Sequence, residues 1–193
     1  MDRSCASLGG WKVIRGLGYH DVWYYPVSMH VRRANPEDAA DIARIYNQGI
    51  AEGGATFETR ARTEADIREW FDGAHPAVVV LEGDRTVAFA ATFAYRPRSC
   101  YAGVAEVSVY VDRDFRKRGV GRLALAGLID AAEPANLWKL VSRIFPENIG
   151  SRRLVASLGF REVGTYEKHG RLKGEWRDVI IVERLIPANL GAE

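Results

Sequence analysis

Val107-Ser108-Val109-Tyr110-Val111-Asp112-Arg113-Asp114-Phe115-Arg116-Lys117-Arg118-Gly119-Val120-Gly121-Arg122 is the stretch from which the fold is read. Its valine-rich start predicts a strand, and its end predicts a helix, with a basic, glycine-containing turn between them. A helix N-terminus offers unpaired backbone N–H groups and a partial positive charge, so this turn is a candidate phosphate site. Gly119 and Gly121 let the backbone approach a pyrophosphate closely. Arg116, Lys117, Arg118 and Arg122 add positive charge around the same place. The competing reading is a loop of solvated arginines, which leaves the strand–turn–helix setting without a purpose. No Gly-Lys-Ser/Thr follows, which excludes a nucleotide P-loop, and the Gly-x-Gly-x-x-Gly spacing of a dinucleotide site is absent.

Working outward from this stretch, the pattern predicts one domain over residues 29–187. Met29–Ala34 reads as a strand, and Asn35-Pro36-Glu37-Asp38 as a helix start with Asn as N-cap and Pro at the first helical position. Ala39, Ile42, Ile45, Tyr46 and Ile50 then share one helical face. Thr63-Glu64-Ala65-Asp66 predicts a capping box and a short helix through Phe71. Strands are expected at Ala77–Glu82, Val87–Ala94 and Gly103–Val111, then a helix from Gly119 to Ala132. A strand at Leu140–Phe145, a helix at Ile149–Leu158, and strands at Phe160–Tyr166 and Trp176–Leu185 complete the order. The class is α/β in the α+β sense, a mixed, mostly antiparallel sheet with helices on both faces. Residues 1–28 show no sustained period and read as an N-terminal extension, and residues 188–193 as a C-terminal tail.

Composition narrows the function classes. Of 193 residues, 27 are basic and 25 acidic, a formal net charge of +2 that gives no global drive toward nucleic acid or a membrane. Cys5 and Cys100 sit in no metal or redox spacing, and His20, His30, His75 and His169 form no ligand cluster, so no metal is expected. There is no apolar run of membrane-spanning length and no signal-peptide core, which points to the cytoplasm.

Arg116-x-x-Gly119-x-Gly121 resembles the Arg/Gln-x-x-Gly-x-Gly/Ala motif of GNAT acetyltransferases. Asn148-Ile149-Gly150-Ser151 with Leu158-Gly159-Phe160 is similar to that family's second cleft helix. The resemblance implies acetyl-CoA as cosubstrate and a splayed cleft at the centre of the sheet. It implies that backbone groups of Val109 and Val111 meet the pantetheine arm. The amides through Arg118, Gly119, Val120 and Gly121 would bind pyrophosphate, and Asn148 and Ser151 would line the far side.

Glu106 lies in the apolar run Val104-Ala105-Glu106-Val107, where a carboxylate costs desolvation unless it has a partner or a cleft. One reading turns it to solvent; the other makes it a general base for an attacking amine, with a strand amide near Val107 holding the oxyanion. Tyr110, Tyr166 and Ser151 are candidates to protonate the departing thiolate.

Thr56-Phe57, Arg98, Tyr101, Glu106, Lys168-His169-Gly170 and Trp176-x-Asp178-Val179 resemble the phosphinothricin N-acetyltransferases. Tyr95-Arg96-Pro97-Arg98 and Tyr166-Glu167-Lys168-His169-Gly170 look closest to the arsinothricin-resistance branch. The resemblance implies a homodimer, Glu106 as catalytic base, and Thr56, Phe57, Arg96, Arg98, Tyr101, Lys168 and His169 around an amino-acid acceptor. Arginine forks suit a carboxylate or an anionic phosphinyl or arsinyl group. One departure is the segment Arg171-Leu172-Lys173-Gly174-Glu175, longer than the short turn of the phosphinothricin enzymes.

Overall fold

The computed structural model describes residues 29–191; the expectations for residues 1–28 and for the last two residues lie outside them. Among the described residues seven strands form one sheet in the order β1-β2-β3-β4-β5-β7-β6. These are β1 Met29–Arg33, β2 Ala77–Glu82, β3 Arg85–Ala94, β4 Val104–Val111, β5 Lys139–Ile144, β6 Arg161–Leu172 and β7 Glu175–Leu185. The helices are α1 Ala39–Glu52, α2 Glu64–Arg68, α3 Val120–Ala132 and α4 Ile149–Ala156. Neighbouring strands run antiparallel except β4 and β5, which pair in parallel.

Local chemistry places the helices where the sequence predicts them. Asn35 accepts from the Glu37 N–H at 2.9 Å, and Asp38 returns a bond to the Asn35 N–H at 2.9 Å. The same Asp38 takes a two-pronged Arg32 guanidinium at 2.7 Å, tying the start of α1 to β1. Thr63 and Asp66 form the expected capping box, a motif whose N-cap is worth about 1 kcal/mol. α2 ends at Arg68 rather than Phe71, because Trp70 and Phe71 turn to pack with Ile42, Ile45, Phe89 and Ala91.

Two cores sandwich the sheet. Ile42, Ile45 and Ile67 of α1 and α2 meet Val79, Leu81 and Phe89 on one face. Leu125 and Leu128 of α3 meet Val78, Val80, Ala88, Ala90, Ala105 and Val107 on the other. Successive strand side chains point to opposite faces, so the register Phe93↔Glu106 and Phe89↔Tyr110 puts Glu106 and Tyr110 on the α1 face.

The end of the chain differs from expectation in one respect. β6 runs on through Lys168-His169-Gly170 to Leu172, with a register shift between Tyr166 and Gly170 and Lys168 at φ 48°. Lys173 at φ 51° and Gly174 at φ 89° then make the two-residue turn of a twisted hairpin. The departure segment is therefore the tip of the β6–β7 hairpin.

Candidate active site

β4 pairs with β5 only from Val104 to Glu106, opposite Lys139 to Val141. Beyond that point β4 stays on β3 and β5 stays on β7, so a notch opens between them with Glu106 at its apex. Ser142 Oγ on β5 donates to the Val107 carbonyl at 2.8 Å. The Asp112 N–H turns the other way, to Val87 of β3 at 2.8 Å. Main-chain groups alternate sides along a strand, so Val109 and Val111 aim theirs into the notch, away from β3.

A cavity of about 350 Å³ fills the notch, lined by Glu106, Val107, Val109, Tyr110, Asn148 and Ser151, with Thr56 and Phe57 above them. A second cavity of about 190 Å³ is lined by Tyr95, Arg96, Val141, Tyr166 and Ile181. Glu106, Ser142, Arg143 and His169 line both, so the cavities meet at these four side chains. Sequence reading missed Arg143, whose guanidinium forms an ion pair with Glu106. Its Nη1 also lies 3.5 Å from His169 Nε2. The available signal was the one that drew attention to Glu106: a charged residue inside the apolar run Leu140-Val141-Ser142-Arg143-Ile144.

The basic turn follows Val111 and does not line the larger cavity. Lys117 at φ 62° and Gly119 at φ 80° bend the chain into α3, whose N-cap Gly119 supplies no side-chain cap. That leaves the first N–H groups of α3 open to an anion. A Cβ on Gly121 would lie 3.3 Å from Leu154 Cδ2 and Val111 Cγ2, so only glycine keeps the close approach of α3, α4 and β4 without a shift.

The basic side chains have partners of their own. Arg116 pairs with Glu52 at 2.8 Å and donates to the Val111 carbonyl at 3.2 Å. Arg118 lies over Phe115, and Arg122 reaches the Ser157 carbonyl at 2.9 Å. Arg116 and Arg122 thus brace the turn, and the amides at the start of α3 are left without a side-chain cap.

Asp112 anchors the turn from below. Fully buried, its carboxylate takes Arg44 at 2.6 Å, Arg85 at 2.9 Å and the Asp114 N–H at 3.2 Å. Burial pushes this carboxyl up, but the hydrogen bonds from Arg44, Asp114 and Arg85 outweigh it and hold the pKa at about 2.

On the acceptor side, Phe57 stands edge-on to Phe145 at 5.0 Å, and a Cβ on Gly170 would meet its ring at 2.8 Å. Gly170 is thus the room Phe57 occupies. Arg98 and Tyr101 pack on one another at 6.0 Å, and Tyr101 meets Tyr95 at 5.7 Å, one layer outside the cavities. Lys168 also lies outside them, its N–H bonded to Asp178 at 2.7 Å. Tyr110 stacks on Phe89 and donates to the Ala55 carbonyl at 3.4 Å; burial raises its pKa far above the usual phenol value. Among the described residues no cluster of His, Cys, Asp and Glu could hold a metal ion, and no helix is long and apolar enough to cross a membrane.

Known proteins share this architecture and the sequence that builds it. The model of the acetyltransferase (GNAT) domain matches residues 29–161. Phosphinothricin N-acetyltransferase of Streptomyces coelicolor is 34% identical over 163 residues, covering 81% of this chain and 95% of the relative. An L-methionine sulfoximine/L-methionine sulfone acetyltransferase of Pseudomonas paraeruginosa is 29% identical, covering 81% of this chain and 94% of the relative. The crystal structure of a phosphinothricin acetyltransferase from Sinorhizobium meliloti in complex with acetyl-CoA superposes with a TM-score of 0.78 at 26% identity. That match covers 86% of this chain and 92% of the other. The notch, the uncapped helix end behind it and these matches agree: the chain belongs to the GNAT family and is an acetyl-CoA-dependent N-acetyltransferase.

Proposed function

We propose that the protein acetylates the α-amino group of a small, toxic, glutamate-like amino acid (arsinothricin, phosphinothricin or methionine sulfoximine) and so confers resistance to it. The observation that carries this reading is the meeting of the two cavities at Glu106, with arginines on the acceptor side. Acetyl-CoA enters the larger cavity, with its pyrophosphate on the amides from Arg118 to Gly121 and its pantetheine along Val109 and Val111. Asn148 and Ser151 close the opposite wall.

The acceptor amine arrives through the smaller cavity as an ammonium. Glu106 takes one proton from it, directly or through a water, and the freed nitrogen lone pair attacks the thioester carbonyl. A cleft-facing strand amide near Val107 holds the oxyanion as the carbon becomes tetrahedral. When that carbon re-forms its carbonyl, the C–S bond breaks and the electron pair leaves on sulfur. The second proton shed by the nitrogen ends on the thiolate, and Glu106 returns the first to solvent. Tyr110 and Ser151 both line the larger cavity, whereas Tyr166 lines only the smaller one. Tyr110, kept protonated by its burial, is the donor that stabilises the departing thiolate. The products are the N-acetyl amino acid, CoA thiol and one proton.

Acetylation of another small amine or a protein N-terminus is the alternative. A polyamine would want acidic walls, and the smaller cavity offers Arg96 and Arg143 instead. A binder of acyl-CoA without activity has no use for a carboxylate shared by both cavities. The resemblance to phosphinothricin N-acetyltransferases supports a homodimer, and the cytoplasm is the compartment this chemistry fits.

A thiol-release assay with acetyl-CoA tests the acceptor. Turnover of arsinothricin, phosphinothricin and methionine sulfoximine is expected, with spermidine silent; glutamate, which carries a side-chain anion of its own, shows how far the shape of that anion counts. Turnover of spermidine, or silence on all three expected acceptors, would overturn the reading.

A further inference from the structure

Arg143 is the guanidinium that the proposed reaction leaves without a task. It stands on β5 at the notch apex with its side chain 40% exposed, while the Glu106 side chain it pairs with is 29% exposed. The pair therefore faces both cavities rather than a closed core, and an incoming ligand can reach either partner. On the other side Arg143 meets His169, and Arg96 enters the same cavity from the β3–β4 connection.

Counting charge gives the occupant. Arg96 and Arg143 contribute two positive charges and Glu106 one negative charge, a balance of +1 among these three side chains. An amino acid with an ordinary α-carboxylate, an α-ammonium and a neutral side chain brings one anion and one cation. It satisfies Glu106 and one arginine and leaves the other guanidinium facing a ligand that cannot pair with it. An amino acid with an anionic side chain brings two anions and one cation and fills all three places.

We propose that Arg143 is the specificity residue for the acceptor's side-chain anion, and that it moves to that anion from Glu106 when the acceptor binds. The inference rests on the amino-acid acceptor reading above and deepens it. In the free enzyme Arg143 holds the base; the anionic acceptor draws the guanidinium toward itself, and the acceptor's own ammonium takes its place on Glu106. Selection and activation are then one exchange of ion-pair partners. A neutral side chain, as in methionine sulfoximine, draws Arg143 away only weakly, so Glu106 is freed less often and such acceptors turn over more slowly. Arg96, Arg98 and Tyr101 cannot do this, because none of them pairs with the base.

The test compares phosphinothricin, which carries an anionic side-chain phosphinate, with methionine sulfone, whose side chain is neutral, on wild type, Arg143→Gln and Arg143→Lys. The ratio of kcat/KM for phosphinothricin to that for methionine sulfone is expected to fall about 30-fold or more in Arg143→Gln, mostly through KM for phosphinothricin. Arg143→Lys keeps the charge but loses the fork, and should recover part of the ratio. Because the ratio is taken within one protein preparation, any misfolded fraction cancels. An unchanged ratio, with both acceptors losing the same factor, would make Arg143 a support for Glu106 only and overturn the inference alone. Wild type inactive on both acceptors would overturn the acceptor reading and this inference with it.

Discussion

The two ends of the notch are built on different plans. The end we assign to acetyl-CoA is mostly main chain: a strand edge, a bent turn and an uncapped helix, all within Val107–Arg122, with Asn148 and Ser151 added across the gap. The end we assign to the acceptor is mostly side chain: Arg96, Glu106, Arg143, Tyr166 and His169 come from four separate segments. A main-chain site needs particular conformations, which glycine and helix-start signals encode over a few residues. A side-chain site needs particular tertiary neighbours, which no short stretch encodes. One scaffold can thus keep its cosubstrate while its acceptor changes.

The largest test of that separation is Glu106→Gln. The amide keeps the shape but cannot take a proton, so kcat should fall by about 10²- to 10⁴-fold. Acetyl-CoA affinity, measured by calorimetry on the free enzyme, should stay within about twofold, because the groups assigned to the cosubstrate are backbone amides. A parallel loss of acetyl-CoA affinity would show that the two ends are not independent.

Asp112→Asn examines whether the cosubstrate end is as local as its sequence suggests. Asp112 lies within the contiguous stretch, yet its partners Arg44 and Arg85 lie far away on α1 and β3. Its carboxyl sits at about 2, below the ordinary 3.8. The stabilisation is therefore complete above about pH 4 and is lost as pH falls through 2. The difference corresponds to about 2 kcal/mol, which the asparagine variant should lose at neutral pH. Chemical unfolding at pH 7 and pH 2.5 checks both parts: the gap between wild type and variant should be wide at the first and narrow at the second. A constant gap would mean that packing, not charge, makes the contribution.

How much the sequence disclosed follows the same division. The element order, the cap at Asn35, the capping box at Thr63 and the turn at Gly119 were legible because each is a local conformational signal. Glu106 was legible because a carboxylate in an apolar strand demands an explanation. Arg143 carries the same signal one strand away, but its meaning depends on β5 lying parallel to β4 and parting from it beyond Val141, which the pattern of β5 alone does not state. Arg98, Tyr101 and Lys168 show the converse. Their residue types fit an anion-binding pocket, and the backbone turns them to neighbours outside the cavities. Arg116 and Arg122 read as phosphate ligands by charge, and their pairing with Glu52 and Ser157 is a second role that charge alone does not announce.

Gly119→Ala addresses the main-chain end by itself. No atom lies within 4 Å of the added methyl, so the only cost is holding alanine at φ 80°. That costs about 1 to 2 kcal/mol, either as lost stability or as a turn relaxed away from its bent form. KM for acetyl-CoA should rise about 10-fold while KM for the acceptor stays put. A rise confined to the acceptor would contradict the assignment of the turn.

Asn148 sits where the two plans touch, and two of its variants separate them. Its Oδ1 accepts from the Ser151 N–H at 3.1 Å, capping α4, and its Nδ2 donates to the Gly54 carbonyl at 3.3 Å across the mouth of the larger cavity. Asn148→Ala removes both bonds and should cost about 1 kcal/mol, a fall in Tm of about 3 °C. Asn148→Ser restores the cap, since a serine hydroxyl accepts equally well, but is too short to reach Gly54. If the cap alone matters, serine recovers both stability and KM for acetyl-CoA. If the bridge to Gly54 holds the segment that carries Thr56 and Phe57, serine recovers Tm while both Michaelis constants stay about two- to threefold high. The second outcome is expected, because that segment roofs the larger cavity and Phe57 packs on the Gly170 of the acceptor side. The effect is small, but it reads the coupling between the two ends directly: a shift in both constants from one lost bond means that the roof is shared.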